Sequence, residues 1–455
     1  MAESLRHSAL FTDLYELTMA AAYFENNFRG QASFELFVRS LPKERSFLLA
    51  AGLDQTLEYL EQIHFENDDI EYLRAQPIFS HLSNSFFDYL KGFRFSGEVW
   101  AIPEGTPVFG EEPILRITAP IIEAQIVETF LLSTITFETL IASKAARVVA
   151  AAQGRGIVEF GSRRAHGPEA GVLAARAAYI GGCTGTSNVE AGRRFGVPIY
   201  GTLAHSFLMA YQDEEKGFQD FEKLFPDHAV LLIDTYDTLD AIEKIVHAGL
   251  RPRAVRLDSG DLGQLSKQVR RRLDQVGLRE TRIFASSDLD EFVIADLLAQ
   301  GAPIDNFGVG SALATSKDAP TLGGVYKLVD VETNEGPSYR AKFSENKVTY
   351  PGRKQIFRMR DENGIYQEDI IACADENCED ENHDGEPLLS CVMRQGKRLA
   401  ASPSLDIIRA VAEKEIADLP EGLRDLRIPG KAYPVRFSRK LEMLLAEAKQ
   451  RMGVV

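Results

Sequence analysis

The feature that most constrains this chain is a repeating pattern in its middle third, where short apolar runs end in polar or glycine residues. The starts of successive runs lie 40, 32, 25, 28 and 24 residues apart, at Ile157, Val197, Ala229, Ala254, Arg282 and Asn306. Spacings of this size are typical of a strand, a loop and a helix repeated along the chain. The first gap leaves room for one more short strand, around residues 179–183.

The segments between these runs have helical periodicity and helical boundaries. Asp237 precedes a segment with apolar residues at positions 239, 242, 245 and 246, and Gly249 follows it. Asp261 and Gly277 bracket a second segment of the same kind. Aspartate caps and terminal glycines mark the two ends of a helix. Buried strands alternating with amphipathic helices predict an α/β fold with a parallel sheet, and six or seven units favour a barrel.

The two flanks of the chain lack this pattern and mix helical segments with short strand-like pieces. Prolines interrupt residues 1–130, and two helical runs, 405–417 and 439–450, stand among the strand-like pieces of residues 339–455. We therefore expect three segments: an N-terminal part (1–130), a barrel (131–338) and a C-terminal part (339–455).

Charge and composition exclude several classes of partner. The 455 residues include 51 Lys and Arg against 67 Asp and Glu, a net charge of −16. This argues against nucleic acid as a partner, although a local arginine cluster can still hold a small anion. No apolar stretch approaches the roughly 18 residues of a membrane span, and the N-terminus does not resemble a signal peptide. With only four cysteines, we expect a cytoplasmic enzyme without a membrane partner.

The polar residues that follow the predicted strands point to the ligand. In a parallel barrel these strand ends form the binding face. They carry Arg163, Arg164, Thr202, His205, Ser206, Asp234, Arg256, Asp258, Asp261, Ser286, Gly308, Gly310 and Ser311. Arginine forks and glycine-rich turns bind phosphate, and aspartates hold Mg²⁺ or sugar hydroxyls. The set predicts a phosphorylated substrate.

Some of these residues have a plainer alternative. Gly308, Gly310 and Ser311 also suit a tight turn, and Arg163 with Arg164 also suit surface charge pairing. His205 is interpreted as a general acid or base, as a nucleophile that takes a phosphoryl group, or as a packing histidine.

Two further groups of residues are better explained without a ligand. Tyr15 lies at the start of an amphipathic helix that Thr12 or Asp13 caps, although its ring could stack on a planar ligand. The remaining candidates for a metal site are Cys373, Cys378, His383 and Cys391. Their spacing is not the paired spacing of zinc sites, so we interpret the cysteines as ordinary reduced cysteines. The acidic stretch 375–386 is interpreted as a solvated loop.

Longer motifs occur along the chain in a fixed order and carry a family resemblance. They are FTDLYELTMAAAYF, FELFVRSLP, EFGSRRAHGPEAG, YIGGCTGTSNVEAG, VPIYGTLAHSF, VRLDSGDL, FGVGSALAT and PGRKQIFR. Together they resemble the nicotinate phosphoribosyltransferases, from about residue 9 to about residue 437. The resemblance implies an irregular parallel α/β barrel with a second α+β domain formed by the N- and C-terminal segments.

The resemblance also implies a reaction and its participants. Nicotinate and 5-phosphoribosyl 1-diphosphate give nicotinate mononucleotide and diphosphate, with ATP hydrolysis coupled to the transfer and Mg²⁺ on the diphosphate. This is the first step of NAD synthesis from nicotinate. A homodimer with shared active sites is implied, in which the segment of Tyr15 comes from the other subunit. The alternatives are a nicotinamide or quinolinate phosphoribosyltransferase, or a non-catalytic nucleotide-binding barrel.

Roles for individual residues follow from the family motifs. The motif histidine that ATP phosphorylates corresponds to His205, and the tyrosine that contacts nicotinate corresponds to Tyr15. Thr202 and Arg256 correspond to positions on nicotinate and nearby groups. Where the family usually has threonine after its glycine-rich phosphate turn, this chain has Ser311, which keeps the hydroxyl. For Mg²⁺ or the ribose hydroxyls we expect Asp258 or Asp261.

Overall fold

The computed structural model describes residues 8–333, 336–344, 347–376, 385–426, 430–451 and 453, in two units. The flank unit comprises Met1–Thr139, Thr321–Ser404 and Lys414–Val455, and the barrel unit comprises Leu140–Pro320 and Leu405–Glu413. The boundaries expected at residues 131 and 338 therefore differ from those of the structure. The boundary expected at residue 131 falls inside a helix of residues 128–151. The boundary expected at residue 338 comes too late, because residues 324–333 already form a strand of the flank unit.

The elements follow one another along the chain in three groups. The first contains α1 (Leu14–Glu25), β1 (Gln31–Val38), β2 (Leu48–Leu49), α2 (Leu53–Gln62), α3 (Asn67–Arg74), α4 (Asn84–Lys91), β3 (Glu98–Ala101), β4 (Pro107–Val108), β5 (Pro113–Pro120), α5 (Ile121–Ile126) and α6 (Glu128–Ala151). The second contains β6 (Gly156–Glu159), α7 (Pro168–Ile180), β7 (Gly185–Thr186), α8 (Val189–Phe195), α9 (His205–Met209), α10 (Glu214–Leu224), β8 (Val230–Leu232), α11 (Thr238–His247), β9 (Ala254–Leu257), α12 (Leu262–Gln275), β10 (Arg282–Ala285), α13 (Glu291–Ala299), β11 (Asn306–Val309) and α14 (Ser311–Ala314). The third contains β12 (Gly324–Thr333), β13 (Gly336–Tyr339), β14 (Phe343–Ser344), β15 (Lys347–Val348), β16 (Lys354–Arg360), β17 (Tyr366–Cys373), β18 (Glu386–Pro387), β19 (Ser390–Arg394), β20 (Lys397–Arg398), α15 (Leu405–Ala417), α16 (Glu421–Arg424), β21 (Val435–Phe437) and α17 (Arg439–Arg451).

The barrel unit is built on a parallel sheet of six strands in the order β7-β6-β11-β10-β9-β8. Its strands are short and mostly buried, as expected for a sheet that helices cover. The caps predicted from the sequence are confirmed, because Asp237 accepts the amides of residues 239 and 240 and Asp261 accepts that of residue 264. The predicted α/β fold is thus confirmed.

Two strand predictions in the barrel unit are wrong. Residues 179–183 do not form a strand, because α7 continues to Ile180 and the glycines at 181 and 182 end it. The strand lies just beyond, at β7. The run from Val197 contributes a single bridge between Ile199 and Thr186, since Pro198 has no N–H to extend a ladder.

The flank unit has a core of its own around a sheet of seven strands in the order β13-β12-β1-β5-β3-β19-β20. Strand β1 lies inside this sheet, where Ala32 pairs with Ala119 of β5 on one side and with Val331 of β12 on the other. A four-stranded sheet, β18-β16-β17-β21, belongs to the same unit. Both ends of the chain therefore build one α+β unit, as predicted. Within the residues described above, no helix combines the length and the apolar character that a membrane crossing requires.

Candidate active site

The carboxyl ends of the barrel strands bring most of the predicted site residues to one edge of the sheet. Strands β6, β11, β10, β9 and β8 are parallel neighbours, so their ends lie side by side. The loop before α9 adds Thr202 and His205 to this edge, since both contact residues of the strand ends.

Arg256, near the end of β9, is the centre of the polar network. Its Nη1 donates to Thr202 Oγ1, its Nε to Ser286 Oγ and its Nη2 to Asp258 Oδ1, each at 2.7 Å. The guanidinium carbon also lies 5.8 Å from the centre of the Phe160 ring. Three donors are thus held by the protein, which fixes the plane of the group and leaves two N–H bonds for a ligand.

Asp258 is held as a carboxylate by its neighbours. Burial alone raises its pKa, but the hydrogen bond from Ser286 and the positive charge of Arg256 outweigh that effect and keep the pKa below its usual value. Ser286 Oγ lies 2.5 Å from Asp258 Oδ1. The other oxygen, Oδ2, lies 3.8 Å from Nε2 of His205. An ionised carboxylate therefore faces the histidine at neutral pH.

His205 begins helix α9 and is accessible from outside, because 40% of its side chain is exposed. Its Nδ1 lies 3.2 Å from Thr235 Oγ1, the residue that follows Asp234. The packing interpretation of this histidine does not fit its exposure. With Nδ1 engaged, Nε2 is the nitrogen that faces Asp258 and the strand ends.

Asp234 adds a second carboxylate to this network. Its Oδ2 accepts the backbone N–H of Asp258 at 2.8 Å and the hydroxyl of Ser259 at 2.6 Å. Its other oxygen, Oδ1, is buried without a hydrogen-bond partner among the residues that the structure describes. A buried carboxylate oxygen without a donor is costly, so it points to a missing cation or hydroxyl. The alternative that we weighed from the sequence, Asp261, caps α12 with its Oδ1.

One glycine of the predicted phosphate turn, Gly308, and one glycine of the turn after β6, Gly161, lie where side chains do not fit. A Cβ on Gly308 would lie 2.7 Å from the Phe160 ring, and one on Gly161 would lie 2.3 Å from the Cβ of Ala314. The turn at Gly310 leads into Ser311, the first residue of α14. The backbones after β6 and β11 therefore approach each other closely at the edge where a phosphate is expected.

Arg163 and Arg164 lie in the short turn after β6, and both are exposed. Neither forms an ion pair within the described part of the barrel unit, so the charge-pairing alternative finds no support there. A hydrogen bond fixes the turn, because Asn188 Nδ2 donates to Ser162 Oγ at 2.9 Å. Unpaired guanidinium groups on a fixed turn are suited to a bound anion.

A buried acid supports this turn and was not singled out from the sequence. Glu159 ends β6 and accepts hydrogen bonds from the hydroxyl of Thr186, at 2.6 Å, and from the amide of Gly161. Burial raises its pKa, against the effect of these two bonds. Thr186 Oγ1 in turn accepts the amide of Asn188. In the sequence, the only indication of a role for these residues was their position inside the EFGSRR and GTSN parts of the family motifs.

Two predicted site residues and one predicted helix cap are not members of the central network. Ser206 is exposed on α9, next to His205. Tyr15 belongs to the flank unit, where 46% of it is exposed in the first turn of α1. Partial burial and the nearby carboxylate of Glu128, which also accepts its hydroxyl hydrogen, raise the pKa of Tyr15. Its phenol therefore stays neutral. The predicted cap Asp13 precedes α1 but instead accepts the hydroxyl of Thr129.

The zinc alternative is only partly within the described residues, because Cys378 and His383 lie outside them. Cys373 is buried, and desolvation raises its pKa to about 12. Among the residues that the structure describes, no group of three or more His, Cys, Asp or Glu side chains could hold a metal ion by itself. Cys373 is thus a free, buried thiol that stays protonated at neutral pH.

Comparison with protein families assigns most of the chain to three models. Residues 10–136 match the nicotinate phosphoribosyltransferase N-terminal domain, and residues 377–445 match its C-terminal domain. Residues 141–319 match the quinolinate phosphoribosyl transferase C-terminal domain. The barrel unit and the flank unit therefore match different models.

Full-length relatives and solved structures agree with these matches. Nicotinate phosphoribosyltransferase pncB2 of Mycobacterium tuberculosis is 48% identical over 97% of this chain and 94% of its own length. The nicotinate phosphoribosyltransferase of Bacillus subtilis is 44% identical over 82% of this chain and 78% of its own. The crystal structure of human nicotinic acid phosphoribosyltransferase superposes with a TM-score of 0.83 and 29% identity, covering 96% of this chain and 99% of that one.

Proposed function

The chain belongs to the nicotinate phosphoribosyltransferase family, and on that premise we propose that it joins nicotinate to 5-phosphoribosyl 1-diphosphate in a step coupled to ATP hydrolysis through His205. The products are nicotinate mononucleotide and diphosphate, which makes the reaction the first step of NAD synthesis from nicotinate. The observation that carries the proposal is the Arg256 network, which joins Thr202, Ser286 and Asp258 beside an accessible histidine. We expect the enzyme to act in the cytoplasm.

The charges of the site match those of the reaction. Breaking the bond at C1 of the ribose builds positive charge on the sugar and negative charge on the departing diphosphate, so fixed charges of both signs lower the barrier. Arg163 and Arg164 stabilise the diphosphate, while the carboxylates of Asp234 and Asp258 lie ready for the ribose. The pyridine nitrogen attacks C1 directly, so its orientation matters more than proton transfer. Thr202 and Arg256 orient nicotinate. Its carboxylate accepts hydrogen bonds from the two N–H groups of Arg256 that the protein leaves free.

The donor set fits Mg²⁺ bound together with substrate. This ion takes one or two protein carboxylates and completes its shell with phosphate oxygens and water. The buried Oδ1 of Asp234 and the Oδ2 of Asp258 have no hydrogen bond within the described residues and suit this role. When bound, the ion supplies positive charge against the diphosphate.

His205 is the residue that we expect ATP to phosphorylate. A bond forms between the imidazole nitrogen and the γ-phosphorus of ATP, the bond to ADP breaks, and water later releases phosphate. Thr235 engages Nδ1, so Nε2 is the nitrogen that is free to attack. The new negative charge then lies beside Asp258, and repulsion between them weakens the hold of Asp258 on Arg256. ATP hydrolysis thereby changes the affinity of the site for its anionic substrates.

Labelling with γ-³²P-ATP tests this proposal directly. The wild-type protein is expected to acquire acid-labile, base-stable phosphate, and His205→Ala is expected to acquire none. His247→Ala is the matched control, since His247 is an exposed histidine that pairs with Glu215 away from the strand ends. Label on His205→Ala, or its loss from His247→Ala, contradicts the assignment of His205. Failure to label, together with no mononucleotide formed, removes the ATP-coupled activity itself.

We propose a homodimer with shared sites, in which Tyr15 of one subunit contacts nicotinate bound by the other. Support comes from the exposed, neutral phenol of Tyr15 in the flank unit. Mixing inactive Tyr15→Ala and His205→Ala subunits is expected to restore about a quarter of wild-type activity, from the dimers that contain one intact site. Mixtures that recover no activity contradict shared sites.

Quinolinate and nicotinamide are the alternative substrates. Quinolinate is considered because the barrel residues match the quinolinate phosphoribosyl transferase C-terminal domain. A competition assay with all three pyridines separates them. We expect nicotinate to be consumed first, because its single carboxylate matches the two N–H groups that the central network leaves free on Arg256. Preferential use of quinolinate or nicotinamide contradicts this assignment.

A further inference from the structure

A group of arginines surrounds two cavities at the opposite edge of the barrel sheet, where the strands begin. One cavity of about 600 Å³ lies beside the first residues of β6, β10 and β11 and is lined by Arg155, Arg270, Arg279 and Arg282. A second cavity, also of about 600 Å³, is lined by Arg251, Arg253, Arg279 and Arg282. Two arginines line both cavities, so the two form one continuous basic surface, which we call the amino-end site.

The charge balance of this surface is opposite to that of the chain. Six arginines line the two cavities, against four acids, Asp227, Asp274, Glu280 and Asp305. Two of these acids are already engaged, because Asp274 pairs with Arg270 at 2.7 Å and Asp305 accepts the amide of residue 283 at 2.8 Å. On a protein of net charge −16, a local excess of positive charge indicates a site for an anionic ligand.

Four of the six arginines of the amino-end site also lack the ion pairs that exposed arginines form elsewhere in the barrel unit. Arg194 and Arg272, for example, each pair with a glutamate at 2.9 Å or less. By contrast, within the described residues Arg251, Arg253, Arg279 and Arg282 form no ion pair. Clustered, unpaired guanidinium groups repel one another, and a bound anion relieves that repulsion.

We propose that the amino-end site binds a polyphosphate group. Guanidinium forks match phosphate oxygens in pairs, and cations spread over two joined cavities exceed what one phosphate needs. Asn306 adds an amide to the wall of the first cavity. The overall negative charge of the chain disfavours nucleic acid, whereas a small polyphosphate fits in a cavity.

The amino-end site lies apart from the candidate active site. Strand β10 runs from Arg282 to residue 285, next to Ser286, and a strand of this length spans about 13 Å. A ligand at one end is therefore distinct from one that contacts Arg256 at the other. The proposal does not depend on the reaction that the active site performs.

Binding of inorganic tripolyphosphate, measured by titration calorimetry on the full chain, tests the proposal. The wild-type protein is expected to show two classes of site. The double variant Arg279→Gln/Arg282→Gln is expected to lose one class, with affinity at least about tenfold weaker, and to keep the other. The double variant Arg163→Gln/Arg164→Gln is expected to show the reverse. All four arginines are exposed, so we expect unchanged melting temperatures.

Arg271→Gln is the matched control. Arg271 is also an exposed arginine of the barrel unit, but it lines neither cavity and donates to the carbonyl of Lys267. Equal weakening in Arg271→Gln and in the double variant would mean that only net charge matters and would overturn the proposal. Unchanged binding by Arg279→Gln/Arg282→Gln overturns it as well, as does a wild-type protein whose one class of site is lost in Arg163→Gln/Arg164→Gln. Titration with ATP and with diphosphate then distinguishes the two natural sources of the group.

Discussion

At the scale of single residues, the candidate active site depends on a few charges that are fixed by hydrogen bonds. Arg256 has three of its donors satisfied by the protein, and Asp258 keeps its negative charge because Ser286 and Arg256 oppose the effect of burial. Fixed charges need no reorganisation when the substrate becomes charged, which is why such networks contribute strongly to catalysis.

Replacing Asp258 tests this view. Asp258→Asn keeps an oxygen that can accept from Arg256 but removes the negative charge, so we expect kcat/KM to fall about 100-fold. Asp261→Asn is the control, because asparagine caps a helix about as well as aspartate and Asp261 caps α12. Steady-state rates with nicotinate check both variants. If Asp261→Asn loses as much activity as Asp258→Asn, the preference for Asp258 is wrong.

A second residue predicts a pH dependence of stability. Burial raises the pKa of Glu16 to about 7, although Thr12 and Thr129 donate hydrogen bonds to its carboxyl group. The unfolded chain holds the proton less tightly, so the stabilisation is complete below about pH 4.5 and is lost as the pH rises through 7. The Glu16→Gln variant cannot ionise, so it keeps this stabilisation as the pH rises.

Melting temperatures of the wild type and of Glu16→Gln, measured from pH 5 to pH 8, check this prediction. The melting temperature of the variant is expected to rise relative to that of the wild type as the pH rises, by roughly 2–4 °C for each kcal/mol of this stabilisation that the wild type loses. A difference that stays constant over this range contradicts the assignment of Glu16.

At the scale of elements, the sequence predicts features that adjacent residues determine. It does not predict features that depend on contacts between distant residues. The caps Asp237 and Asp261 are readable because a cap and its helix are adjacent in sequence. The strand near residue 180 was misplaced, because an apolar segment of that length suits a buried helix as well as a strand. Asp234 followed a predicted strand, but its orphaned oxygen depends on contacts that only the fold creates.

A buried charge cluster joins helices α6 and α13 in the barrel unit. Glu291 is fully buried, and it accepts from Lys144 at 2.5 Å and from Arg147 at 3.0 Å. Burial favours protonation of Glu291, but these cations hold its pKa below the usual value. This cluster anchors the residues that follow β10, which include Ser287 with its strained φ of 126°.

Removing one charge of this cluster is expected to be costly. Glu291→Gln leaves Lys144 and Arg147 buried with less negative charge, so we expect the free energy of unfolding to fall by about 3–5 kcal/mol. Glu190→Gln, which breaks surface pairs with Arg193 and Arg194, is expected to cost only about 1 kcal/mol. Urea unfolding measures both. Similar losses in the two variants would count against a structural role for the buried cluster.

At the scale of the whole molecule, the barrel unit is inserted into a second unit that both ends of the chain build. The sequence shows the inserted pattern, because strand and helix alternate along it. It does not show that β1 pairs with β12, since Ala32 and Val331 lie about 300 residues apart and no local signal links them. The family resemblance implied only that the N- and C-terminal segments form a second domain, not which of their strands pair.

Pulsed hydrogen exchange during refolding checks the consequence of this topology. Contacts between distant residues form late because closing long loops costs entropy. We therefore expect the amides of β9 and β10 to become protected before those of β1. Simultaneous protection of the three strands contradicts an order set by chain separation.

The position of β1 has a consequence for synthesis of the protein. The ribosome releases β1 and β5 about 200 residues before β12, so the edge that β12 covers stays open while the intervening chain is made. An open strand edge is a template for pairing with other chains. A nascent chain of this protein therefore carries an open strand edge until β12 emerges, and we expect chaperones to be needed to shield that edge in the meantime.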